Sequence, residues 1–210
     1  MPNIDEATIT SMMDVADIHP TCCFPMMGIH PCHVTKKFDR QLYLVEEWLN
    51  KASFIAIGEV GIDLYHDTSL SIEQQEAFSI QLNLAKKYNL PLSIHCRNAF
   101  KEVLQVLEKE QDGSLKGVIH CFTGSVIEAE RCIKLGFHLG VGGIITMPKS
   151  GLADIISSIA LDHLVLETDS PYLVDPEVLV IRLIISFNMF VFYTTICKVL
   201  IYFMLKPCKL

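Results

Sequence analysis

Six short runs of almost purely apolar residues, at 22–29, 54–58, 92–95, 117–120, 138–142 and 163–167, punctuate this chain. Each gives way to a polar or glycine-rich turn, and the segments between them carry helical periodicity. Leu42, Val45, Trp48 and Leu49 fall on one helical face, as do Ile80, Leu84 and Tyr88, and Val103, Val106 and Leu107. Ile127, Cys132 and Leu135 mark a fourth helix, and Leu152, Ile155, Ile156 and Ile159 a fifth. Asn89 before Leu90 and Pro91, and Gly136 after Leu135, read as helix stops. Short strands with few polar residues need cover on both faces. Strands that alternate with helices imply parallel pairing through right-handed crossovers. The expected class is therefore α/β.

Two α/β architectures fit that pattern, an open doubly wound sheet and a TIM-type (β/α)8 barrel. A dinucleotide-binding sheet needs a glycine-rich turn after its first strand, whereas Gly28 here is followed by Ile29, His30 and Pro31. A barrel places its chemistry on the C-terminal tips of many different strands, which is where the polar residues of this chain fall. A complete barrel takes about 250 residues. The expectation is an incomplete barrel of about six βα units over residues 1–177, with a strand missing at each end.

The strand tips supply the candidate chemistry. Glu59 ends the second run, with Asp63 and His66 in the loop beyond it. A carboxylate immediately after an apolar strand needs a partner or a metal, because desolvating it alone is expensive; pairing with Arg97 is the plainer alternative. His95 and His120 end the third and fourth runs. Either alone reads as a hydrogen-bonded core histidine, but two neutral imidazoles with one carboxylate make a divalent-metal set. Asp169 follows the last run, and strand alternation turns Glu167 and Asp169 to one side. Asp169 is suited to binding metal or to orienting and deprotonating a water; its plainer role is a turn cap. His30 closes the first run as a pocket-lining, substrate-contacting residue, and His33 reads as a surface residue. Arg97 offers a bidentate fork to a phosphate, or a salt bridge.

Charge narrows the partners. The formal charge of −7 is −11 before residue 178 and +4 after it, where Arg182, Lys198, Lys206 and Lys209 stand without an acid. No basic excess favours a nucleic-acid backbone by charge alone, so phosphate chemistry would have to draw its positive charge from a bound metal. The eight cysteines show no CxxC spacing and the N-terminus lacks a basic, apolar signal, which implies free thiols and a cytoplasmic location. Residues 178–210 form a separate apolar, basic, helical tail. Its 183–205 stretch reads as a membrane anchor broken by Lys198, as a helix packed on the domain, or as an end from a changed reading frame.

The residues also resemble a known family, the TatD-related metal-dependent deoxyribonucleases of the amidohydrolase class. The matching text is FPMMGIHPCH, IAIGEVGIDLYHD, QLNLAKKYNLPLSIHCR, GVIHCFTGS, GFHLGVGGIIT and LVLETDSPYL, from about residue 20 to 175. The resemblance implies a (β/α)8 barrel with two divalent ions at its rim, Mg2+ with Mn2+ or Zn2+ as alternatives. It implies that Glu59 bridges the ions, that His95 and His120 complete one site, that Asp169 serves the other, and that Arg97 and His30 face the phosphate. The implied activity is hydrolysis of DNA phosphodiesters, often 3′-to-5′, with DNA as substrate and no stable protein partner. Alternatives are deacylation of mischarged transfer RNA and an inactive truncated fragment. The family's opening Asp-x-His-x-His text, whose histidines bind the first metal, does not occur here. The resemblance then implies one bound cation rather than two, and reduced turnover.

Overall fold

The computed structural model describes residues 1–65 and 67–169. Expectations for His66, for the boundary at 177 and for the apolar tail, including membrane attachment through 183–205, lie outside those residues. Among the described residues no helix is long and apolar enough to cross a membrane.

Among the described residues five strands form one parallel sheet: β1 (Ile57–Asp63), β2 (Leu92–Arg97), β3 (Gly117–His120), β4 (Phe137–Val141) and β5 (Leu164–Leu166). Their spatial order is their chain order. A doubly wound sheet reverses its strand order at a switch point; this one does not, so the sequential order decides for the barrel-type architecture. The described residues also hold six helices, two before β1 and one in each later crossover: α1 (Ile9–Ile18), α2 (Phe38–Lys51), α3 (Ser71–Tyr88), α4 (Phe100–Glu110), α5 (Val126–Lys134) and α6 (Leu152–Ser157). Asn89 closes α3 in the left-handed conformation, which frees the chain to turn into β2.

Two of the expected strands are corrected. Residues 22–29 form no continuous strand; they make single bridges, Met26 to Pro2 and Met27 to Ile57. The ladder fails there because the Ile29 amide donates to the side chain of Gln81 on α3 (2.8 Å), not to a neighbouring backbone. Residues 1–4 lie alongside this segment: the Met26 amide donates to Met1 and the His30 amide to Ile4. Helix α1 accordingly begins only at Ile9. The second strand runs Ile57–Asp63 rather than 54–58, so Glu59 lies inside it and Asp63 is its last residue, not a loop residue. The Gly58–Glu59 peptide is cis, and the β1–β2 register shifts between Ile57 and Val60.

The sheet sorts its side chains by alternation. Val60, Ile94, Ile119 and Leu139 occupy one register row and are fully buried. This row belongs to the face covered by the helices. One position further along, Gly61, His95 and His120 form the next row, on the opposite face. Phe78, buried in α3, packs with the first row in one continuous core. Phe78→Ala should cost about 3–5 kcal/mol, because a buried aromatic leaves a cavity that its neighbours only partly fill. Urea denaturation measures it as a lowered midpoint with an unchanged slope.

Candidate metal centre

The register of the sheet builds the centre. His95 and His120 are paired residues of adjacent parallel strands. Their rings therefore leave the same face side by side. Glu59, Gly61 and Asp63 alternate on that face of β1, next to His95. The absence of a side chain at Gly61, which pairs with His95, leaves the carboxylates on either side of it free to reach the imidazole.

The contacts are short and directional. His95 Nδ1 lies 3.1 Å from Glu59 Oε1, and its Nε2 lies 2.9 Å from Asp63 Oδ2. His120 Nδ1 lies 2.8 Å from Glu167 Oε2, while its Nε2 lies 3.8 Å from both Glu59 Oε1 and Asp169 Oδ1. All four candidate residues, Glu59, His95, His120 and Asp169, thus meet at one end of the sheet. Glu59 does not pair with Arg97; its charged neighbours are the two imidazoles. Arg97 is exposed and its guanidinium stacks 3.9 Å from the ring centre of Tyr65. His30 joins from the segment before β1, its ring centre 4.6 Å from that of His95. Ligand atoms of His30, Glu59 and His95 lie within 4.8 Å of one another. The His30 Nδ1 accepts the Cys32 amide (3.2 Å), so the neutral ring carries its proton on Nε2. His33 is exposed, 3.8 Å from Asp5.

The electrostatics follow from this crowding. Burial alone would push the Glu59 carboxyl up, but the His95 hydrogen bond and the nearby imidazoles of His120 and His95 outweigh it and bring it to about 2. Asp63 is held below the usual carboxylate range against burial, by His95 and the Tyr65 amide. Burial disfavours a charged His120, yet Asp169, Glu167 and Glu59 together raise it to about 11. His95 is raised in the same way by Asp63 and Glu59, against its burial. His30 goes the other way, to about 4, through burial and the proximity of His95.

This donor set fits a divalent cation. It offers carboxylate oxygen and imidazole nitrogen at one point, and its own carboxylates draw protons onto His95 and His120 when no cation neutralises them. At pH 7 the raised His120 carries two protons, so an incoming cation has to displace one. Proton uptake therefore competes with the metal, and affinity should rise with pH until the raised His120 value of about 11 is passed. Calorimetric titration with Mn2+ in buffers of different ionisation enthalpy should read the release of at least one proton per cation at pH 7; a release of zero would show that His120 is not displaced.

Two participants were not singled out from the sequence. Asp63 was expected in a loop, and Glu167 was noted only for its side of the strand. The alternation of Glu59, Gly61 and Asp63 with Val60 and Ile62 is the signal that would have extended β1 to Asp63. The described cysteines, Cys22, Cys23, Cys32, Cys96, Cys121 and Cys132, are free thiols.

The sequence profile of the family described as TatD related DNase matches residues 1–185. The chain is 34% identical over 170 residues to the uncharacterized metal-dependent hydrolase YabD of Bacillus subtilis, covering 80% of this chain and 66% of that protein. It is 35% identical over 161 residues to the 3′-5′ ssDNA/RNA exonuclease TatD of Pantoea vagans, covering 76% of this chain and 62% of that one. Among solved structures, the TatD homologue YjjV of Escherichia coli superposes with a TM-score of 0.76 at 32% identity, over 82% of this chain and 67% of that one. The chain thus spans less than two thirds of the length of these two curated relatives.

Proposed function

The chain belongs to the TatD related DNase family, and from that premise we propose that it is a metal-dependent hydrolase of nucleic-acid phosphodiesters, with single-stranded DNA or RNA ends as substrate. The observation that carries the reading is the convergence of Glu59, His95, His120 and Asp169 at one end of the sheet, at the separations given above. The names of relatives at about 35% identity supply the substrate class.

In this reading Glu59, His95 and His120 hold one cation, Mg2+ or Mn2+, and Glu59 and Asp169 are what the chain offers to a second. A bound divalent cation supplies Lewis acidity at a phosphoryl oxygen. The protein's residues do the rest. Asp169 is half exposed, with its carboxylate beside His120, and accepts the proton of an attacking water. His30 presents an Nε2–H donor to a non-bridging phosphate oxygen, because its Nδ1 is committed to the Cys32 amide. Arg97, at the end of β2 two residues beyond His95, adds a fork for a neighbouring phosphate. The net charge of −7 makes such cationic contacts local rather than a broad basic surface.

The test uses the full chain and a 5′-labelled single-stranded oligonucleotide with Mg2+, Mn2+ or no metal. Stepwise metal-dependent shortening from the 3′ end is expected. Absence of any shortening with either ion, by a folded chain, would overturn the nuclease reading; release of an amino acid from mischarged transfer RNA by that chain would replace it with the deacylase alternative.

A further inference from the structure

We propose that Glu167 is a positioning residue that makes Nε2 of His120 the cation-facing atom, and that it reaches His120 only because residue 140 is glycine. The inference rests on the reading of His120 as a ligand.

Glu167 belongs to the segment just after β5, yet its target stands on β3, with β4 between them. Its backbone amide is tied to Val141 on β4 (3.1 Å), so the side chain starts from a fixed point. From there the carboxylate lies across β4 at Gly140. A Cβ added at Gly140 would stand 2.2 Å from Glu167 Oε1 and 2.5 Å from its Cδ. Those separations leave no room for any other residue while the carboxylate stays in place.

The two oxygens have separate tasks. Oε1 accepts the Cys121 backbone amide, and Oε2 lies 2.8 Å from His120 Nδ1. The Cys121 amide can only donate, and it fixes which way the carboxylate lies. Oε2 can then only accept, so Nδ1 has to carry the proton. Nε2 is left to face Glu59 and Asp169. A carboxylate that orients a ligand imidazole in this way also raises its basicity. His95 is held in the opposite sense, with Nε2 towards Asp63 and Nδ1 towards Glu59. The two rings thus present different nitrogens to a shared point, and each ring's outer carboxylate decides which.

Glu167→Gln is the informative change because it keeps the shape and removes one acceptor. Its oxygen stays with the Cys121 amide, and its NH2 then faces His120 Nδ1. That favours a proton on Nε2, where the cation should bind. Mn2+ affinity, read as free Mn2+ by electron paramagnetic resonance, should fall about 10–100-fold, while the thermal unfolding of the metal-free protein confirms a folded chain. Glu167→Ala should show the same loss and serves if the glutamine variant does not fold. Gly140→Ala should weaken Mn2+ binding in the parent but not in the Glu167→Ala background, because the clash partner is gone. His120→Ala separates the two readings. If it leaves Mn2+ binding intact, the ligand assignment itself fails. If it weakens binding while the Glu167 variants bind as the parent does, the role of Glu167 is overturned. Equal cost of Gly140→Ala in both backgrounds would overturn the requirement for glycine.

Discussion

Glu59→Gln is expected to lower divalent-cation affinity by at least about 100-fold, more than the loss of an outer carboxylate would. Glu59 stands 3.1 Å from His95 and 3.8 Å from His120, so one oxygen serves both imidazoles. Its carboxyl is anionic throughout any practical assay range because the imidazoles bring it to about 2. The glutamine keeps the volume and the hydrogen-bonding reach but removes the charge that compensates a cation buried between two rings. In the proposed reading, cleavage of a single-stranded substrate at subsaturating metal should fall by at least about 100-fold with it, because less of the cation that stabilises phosphoryl charge is bound. Calorimetry with Mn2+ checks the first expectation and initial cleavage rates at a metal concentration below the parent's Kd the second. A variant that binds Mn2+ as tightly as the parent would remove Glu59 from the centre.

Gly61→Ala should strongly destabilise the sheet. Gly61 has φ +140°, a conformation that side chains other than glycine's rarely adopt. A Cβ there would stand 2.0 Å from the backbone oxygen of His95, on the neighbouring strand. The obstacle is main chain, not a side chain that can swing away, so β1 and β2 would have to part where they pair. A loss of about 3 kcal/mol or more is expected, seen as a lower urea midpoint. Binding should suffer as well, because the strand that shifts carries both Glu59 and Asp63, which flank His95. If Gly61→Ala unfolds at the parent's midpoint and binds Mn2+ normally, the packing of the two strands does not position the centre.

Much of the fold was legible because its strands are buried on both faces. β2, β3, β4 and β5 lie within a few residues of the apolar runs that announce them. β1 was misplaced for a physical reason. Its inner face carries Glu59, Gly61 and Asp63, and polar residues with a glycine resemble a turn until their alternation with Val60 and Ile62 is noticed. The run at 22–29 misled in the opposite direction. It is apolar and extended, but its amide at Ile29 is satisfied by Gln81, a side chain 52 residues away, so no ladder continues there.

Local periodicity and the cost of burying a lone carboxylate are properties of short segments, so a parallel α/β chain with acids and histidines at its strand tips can be read along the chain. Which tips meet, and which atoms face each other, follows from the folded arrangement alone. The sequential strand order sets His95 beside His120, and Glu167 crosses β4 to a histidine 47 residues away. Which nitrogen of an imidazole carries the proton depends on the partner at its other side, and that partner is brought by strand register and by a missing Cβ at Gly140, neither of which a linear pattern encodes.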